Sequence, residues 1–152
     1  MEASDIWREA TEGTRVPAGR APRTALPMTA TPASHPVEIR EHDTDGVRVI
    51  AMRGELDLAT APRLAVRIDI ARRNGARKLL VDLTTAEFCD STGLRALVGC
   101  RQEIVAGGGR MVVAAAADSA VGRMFALAGA HEVMPVYEDV ERALTALSPS
   151  RS

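Results

Sequence analysis

The sequence predicts an α/β domain: a single mixed β-sheet that opens with an antiparallel hairpin, continues with parallel strands, and carries its helices mainly on one face. Three observations lead there. From Val37 onward, short alternating or continuous apolar runs are each followed by a segment with a 3.6-residue apolar period. Glycine and Asp/Asn/Thr clusters separate them as turns. The strand–helix alternation then persists to the end of the chain, the pattern of parallel strands joined by crossover helices. Right-handed crossovers that keep stepping in one direction place those helices on one face.

Taken in order, "VEIRE" alternates apolar and charged residues and reads as a strand. "HDTDG" is a turn, and "VRVIAMRG" alternates again to complete a hairpin. A helix follows, with Ala61, Leu64, Ala65, Ile68 and Ala71 on one face. Thr60 suits its N-cap, Pro62 its first turn, Arg72 and Arg73 its C-terminal dipole, and Gly75 its stop. "KLLVDL" is a continuous apolar run, as expected of a strand covered on both faces. Residues 91–106 form the next helix, with Leu94, Leu97, Val98, Ile104 and Val105 inward and "GGG" as terminator. "RMVVAA" is a strand. "DSAVGRMFALAG" is a helix capped by Asp118 or Ser119, with Val121, Met124, Phe125 and Ala128 inward. "EVMPV" is a short strand whose Pro135 requires an edge or a strand end. A last helix aligns Val140, Ala143, Leu144 and Leu147.

At 152 residues and 46% apolar content, but only 3% aromatic, the chain suits one domain with an aliphatic core, plus tails. Residues 1–36, rich in Pro, Ala and Thr, read as a disordered tail. Residues 37–148 are the domain, and 149–152 a C-terminal tail. Met28 is an alternative start. A net charge of -1 gives no general attraction to nucleic acid or anionic lipid. No apolar stretch reaches the roughly 20 residues that span a bilayer. The acidic N-terminus lacks the features of a secretion signal, so a cytoplasmic protein is expected. Cys89 and Cys100, on the order of 15 Å apart along a helix, are too distant for a disulfide.

Ligands of open α/β sheets gather beyond the carboxyl ends of parallel strands. Three loops leave those ends: 54–60, 84–91 and 115–119. They bring Asp57 and Ser91 to one edge although the two are 34 positions apart. Ser91 stands at a helix start, where unpaired backbone N–H groups favour an anion. Its simplest role there is that of an N-cap; the alternative is a hydroxyl open to modification. Asp57 reads as a loop acid or turn former, Thr92 as an early helix residue, and Arg95 as a solvated arginine. Cys89 and Arg95 also spell C-x5-R, the spacing of cysteine-dependent phosphatases. Flanking Glu87 and Asp90 would raise the thiol pKa, however, and the loop lacks converging glycines. Cys89 therefore reads as a packed core residue. His35, His42 and His131 show no metal-ligand or triad spacing, and no cofactor is implied.

"RGELDLATAPRL", then "LLVDLTTAEFCDSTGLRALV", then "GGRMVVAAAADSAVGRMFALAGAHEVMPV" with a closing helix resembles the anti-sigma factor antagonists of the STAS domain family, over about residues 37–148. The resemblance implies bacterial partner switching without enzymatic activity in this chain. The unphosphorylated form binds an anti-sigma factor and frees a sigma factor. The anti-sigma factor's ATP-dependent serine kinase activity phosphorylates the serine after the motif aspartate, and a metal-dependent serine phosphatase resets it. That serine corresponds to Ser91, with Asp57, Asp90, Thr92 and Arg95 on the partner-binding surface. No direct contact with nucleic acid or membrane is implied. The other reading is a STAS scaffold or sensor module in a signalling complex without sigma control.

Overall fold

The structure, a computed structural model, describes residues 37–148; both tails expected from the sequence lie outside the described residues. The elements are β1 (Glu38–Thr44), β2 (Val47–Leu56), α1 (Ala61–Arg73), β3 (Lys78–Asp82), β4 (Ala86–Cys89), α2 (Ser91–Ala106), β5 (Arg110–Ala114), α3 (Ala120–Ala128), a 3-10 turn (Ala130–Glu132), β6 (Val136–Tyr137) and α4 (Val140–Leu147). The sheet runs β1-β2-β3-β5-β6, with β1 antiparallel and the rest parallel, as expected.

The hairpin is tighter than the sequence suggested. β1 extends to Thr44, and only Asp45 and Gly46 turn the chain, both at positive φ (52° and 81°). Two central residues at positive φ make the primed turn that matches strand twist, which the Asp-Gly pair favours. "EVMPV" shortens in the opposite sense. Its first residue, Glu132, ends the 3-10 turn, and of the segment only Val136, with the following Tyr137, joins the sheet beside β5.

One strand is new. Residues 86–89, expected to lie in a loop, form β4, which pairs in parallel with the end of β2. β2 therefore serves two neighbours. Arg48–Ala51 pair with β3, and Gly54, Glu55 and Leu56 pair with Ala86, Phe88 and Cys89 after a register shift between Gly54 and Glu55. Gly54 has φ 116°, a conformation few other residues adopt. Four residues are too few for the alternation in "AEFC" to stand out as a strand.

α1, α2 and α3 bury Leu64, Ile68, Leu97, Ile104, Val121 and Phe125 against one face, with Ile50, Met52, Leu79, Val81 and Met111 beneath them. Val105 and Ala128, expected inward, are exposed. α4 departs from this side. Its Ala143 and Leu147 cover Val47, Val49, Leu80, Val112 and Ala114 on the opposite face. No crossover follows it, so connectivity does not dictate its side, and its Val140–Leu144–Leu147 stripe covers what the other helices leave bare. No helix among the described residues is long and apolar enough to cross a membrane.

Candidate functional site

β2, β4 and β5 all end at one edge of the sheet, and the three predicted loops meet there. The decisive contact lies between β2 and the start of α2. Leu56 pairs with Cys89, and the Asp90 N–H donates to the Leu56 carbonyl at 3.1 Å. Asp57 and Ser91 are the next residues on each chain. Counted from the Leu56–Cys89 pair, their Cα atoms are thus held within about 16 Å, the sum of three Cα steps and one strand spacing.

Asp90 caps α2. Its Oδ1 accepts from the Gly93 N–H at 2.9 Å. The simplest expectation for Ser91, that it merely caps this helix, is therefore wrong: a carboxylate one residue earlier fills that position. Ser91 is the first helical residue. It is exposed, and its hydroxyl makes no hydrogen bond among the described residues. Thr92 beside it is half-buried, and Arg95, one turn on, is exposed. Gly93 lets the helix start sit directly on β2. A Cβ there would lie 2.7 Å from both the Leu56 Cγ and carbonyl oxygen, and 3.1 Å from the Cys89 Sγ.

Asp57 builds its own loop. Its Oδ1 accepts from the Ala59 N–H at 3.0 Å and the Thr60 N–H at 3.1 Å. The Thr60 hydroxyl donates to the Glu55 carbonyl at 2.6 Å and accepts from the Asp57 N–H at 2.9 Å. Thr60, expected as an N-cap, makes no side-chain cap bond. It is buried and ties the loop together instead. The result is a rigid turn that presents Leu58, 73% exposed, beside the serine edge. Phe88 on β4 is 43% exposed. Neither residue stood out in the sequence, where an apolar residue amid polar ones reads as ordinary packing.

Cys89 is fully buried. Burial, and secondarily the Asp90 charge, pushes its thiol up to about 12, so almost none of it is thiolate at neutral pH. The Cys89/Arg95 nucleophile reading fails on that ground, and Cys89 is a core residue. Asp82, not singled out in the sequence, is 1% exposed at the end of β3. Its Oδ1 accepts from the Thr84 N–H at 2.9 Å and from the Thr84 hydroxyl at 2.6 Å, shaping the turn into β4. Desolvation raises its pKa above 3.8, against the pull of the Thr84 hydrogen bonds and of His42. Between those two pKa values the folded state holds a proton that the unfolded state has lost, so stability falls as pH rises. Asp82→Asn keeps an acceptor for Thr84 and has no such cost. Its stability relative to the wild type, from urea unfolding at a series of pH values, is expected to improve as pH rises above about 4 and then to level off once the folded carboxyl has ionised. A constant difference would show that Asp82 is not desolvated.

Residues 38–143 match the model of the STAS domain. The chain belongs to the STAS domain family. Among its relatives, the anti-sigma F factor antagonist of Paenibacillus polymyxa is 30% identical over 112 residues, spanning 73% of this chain and 93% of that one. An anti-sigma-B factor antagonist of Staphylococcus aureus is 30% identical over 92 residues, 60% of this chain and 84% of its own. The crystal structure of an anti-sigma factor antagonist from Mycobacterium paratuberculosis superposes with a TM-score of 0.68 at 30% identity, covering 74% of this chain and 94% of that one. The matched span of this STAS domain includes the whole Asp57–Ser91 edge.

Proposed function

We propose that this STAS domain is an anti-sigma factor antagonist whose docking is switched off by phosphorylation of Ser91. The observation that carries this reading is the division of labour at α2: Asp90 caps the helix, leaving the Ser91 hydroxyl exposed and uncommitted. The names of the relatives at 30% identity support the same reading. In the unphosphorylated form, the Asp57 loop, Asp90, Ser91, Thr92 and Arg95 form the surface that meets an anti-sigma factor and so frees a sigma factor.

Ser91 is a substrate hydroxyl here. The anti-sigma factor's serine kinase activity supplies the catalytic groups and transfers the terminal phosphoryl group of ATP to the hydroxyl, releasing ADP, and a metal-dependent serine phosphatase removes the phosphate by hydrolysis. The product carries roughly -1.5 to -2 charge at neutral pH, at a helix N-terminus that tolerates it. The same charge in a close interface meets desolvation and the nearby carboxylates of Asp57 and Asp90. The switch therefore acts on docking and leaves the fold intact. The test is to incubate the protein with ATP and the anti-sigma kinase from its own genome, then map phosphate by mass spectrometry. Stoichiometric phosphate on Ser91, abolished in Ser91→Ala, is expected. Phosphate retained in Ser91→Ala would overturn the assignment.

A further inference from the structure

Most arginines of this domain are already committed. Among the described residues every arginine but two donates a hydrogen bond or joins an ion pair. The exceptions are Arg63 and Arg95. Arg95 is exposed and stands one turn beyond Ser91 on α2. Its own helix offers it no acid. The residues three and four positions away are Ser91, Thr92, Val98 and Gly99, and the one carboxylate of α2, Glu103, lies more than two turns further on. The acids of the serine edge do not claim it either. Asp57 and Asp90 each turn an oxygen onto backbone N–H groups of their own loops, and Glu87 makes no ion pair among the described residues.

Helix geometry directs this free cation towards Ser91. Side chains on a helix lean towards its N-terminus, so a long one lies over the residue four positions earlier. The Cβ atoms of such a pair are about 6 Å apart, which an arginine side chain spans with ease. An anion that precedes a cation by four residues is also the favourable order on a helix.

We infer that Arg95 is the phosphate clamp of this switch: once Ser91 is phosphorylated, the Arg95 guanidinium folds back over one turn and binds the phosphate oxygens of its own chain. This role rests on the Ser91 assignment and deepens it. The guanidinium presents paired N–H groups in a planar fork, which matches two phosphate oxygens at once. In the unmodified protein Arg95 stays open to an acid of the docking partner. After modification that cation is withdrawn from the docking surface in the same event that adds the anion. One phosphoryl transfer thereby changes two charges of the surface, and the local pairing spares the helix start an isolated dianion.

The test uses the full chain with phosphoserine installed at position 91 during translation, so no kinase is required. 31P NMR from pH 4 to 8, in about 50 mM salt to limit screening, follows the second ionisation of the phosphate. A phosphoserine ordinarily loses that proton near pH 6. Arg95 favours the dianion and lowers this midpoint, while Asp57, Glu87 and Asp90 oppose it. Arg95→Ala is expected to raise the midpoint by about half a pH unit or more, and Arg95→Lys to restore part of the difference, as a point charge without the fork. Arg63→Ala, in the first turn of α1, and Arg73→Ala, at the far end of that helix, remove the same charge elsewhere and should move it by less than about a third as much. The Arg95 side-chain Nε–H signal of 15N-labelled protein should also shift when the phosphate is present. A midpoint unchanged in Arg95→Ala, an equal change in Arg63→Ala or Arg73→Ala, or an Nε–H signal indifferent to phosphate would each overturn the clamp. Arg95 is exposed and bonds to nothing among the described residues, so its variants keep the fold. Because the phosphate is installed without the kinase, a negative result here is distinct from a failure to find phosphate on Ser91 in the kinase reaction.

Discussion

Ser91→Ala binds its anti-sigma factor as tightly as the unphosphorylated wild type, and Ser91→Asp binds at least tenfold more weakly; this pair of affinities is the expected result of isothermal titration. Tenfold is about 1.4 kcal/mol, and burying one uncompensated carboxylate in an interface costs at least that much. Phosphoserine carries up to twice the charge on a larger group, so its loss is expected to be greater, on the order of a hundredfold. Ser91→Ala removes a hydroxyl that makes no hydrogen bond among the described residues, so neither its fold nor its docking should suffer. The melting temperatures of both variants should match the wild type within a few degrees, because Asp90 holds the helix start. Equal affinities would refute a charge-based switch. Unequal affinities accompanied by a large drop in melting temperature would show that the charge acts through the fold.

Gly122→Ala is expected to lower the melting temperature by roughly 10 °C. A Cβ at Gly122 would lie 2.0 Å from the Ala116 carbonyl oxygen, 2.9 Å from its carbonyl carbon and 3.0 Å from the Ala117 Cα. All three are backbone atoms that no rotamer change can move. The Ser119 hydroxyl also accepts from the Gly122 N–H at 3.0 Å and donates to the Ala116 carbonyl at 2.7 Å, which locks the turn against this helix. Overpacking of this kind costs about 1–3 kcal/mol, or several degrees for each kilocalorie in a domain of this size. Gly99→Ala provides the contrast. It lies within α2 with open space where its Cβ would go, and alanine there should stabilise the helix by about 0.5–1 kcal/mol. Differential scanning calorimetry distinguishes the two. A Gly122→Ala protein that melts with the wild type would show that the 116–122 turn yields freely.

Much of the fold was legible because each long element repeats its period several times. α1, α2, α3 and α4 all fell where the apolar spacing placed them, and the parallel sheet followed from their alternation. The misses have local causes. β4 is four residues long, and only its pairing with the end of β2 makes it a strand. α4 has the same amphipathic pattern as the other helices, and a pattern does not say which face of a sheet it will cover. At the edge, Ser91 and Asp57 came together as expected, but their roles could not be separated. Ser91 and Asp90 both suit an N-cap, and only the bond to the Gly93 N–H assigns it to Asp90. Asp57 looked like a free acid or a turn former, and its bonds to Ala59 and Thr60 show the turn former. Asp82 went unnoticed because a carboxylate ending a strand normally reaches solvent.

Among the described strands β4 pairs only with the end of β2, from Gly54 to Leu56. The spacing between the Asp57 loop and the serine helix is thus written into three rungs of one ladder, and the Thr85 hydroxyl ties the preceding turn to the same strand by donating to the Met52 carbonyl at 3.0 Å. A designer wishing to move the serine switch to another scaffold would have to transplant residues 54–60 and 86–95 together, as one cassette.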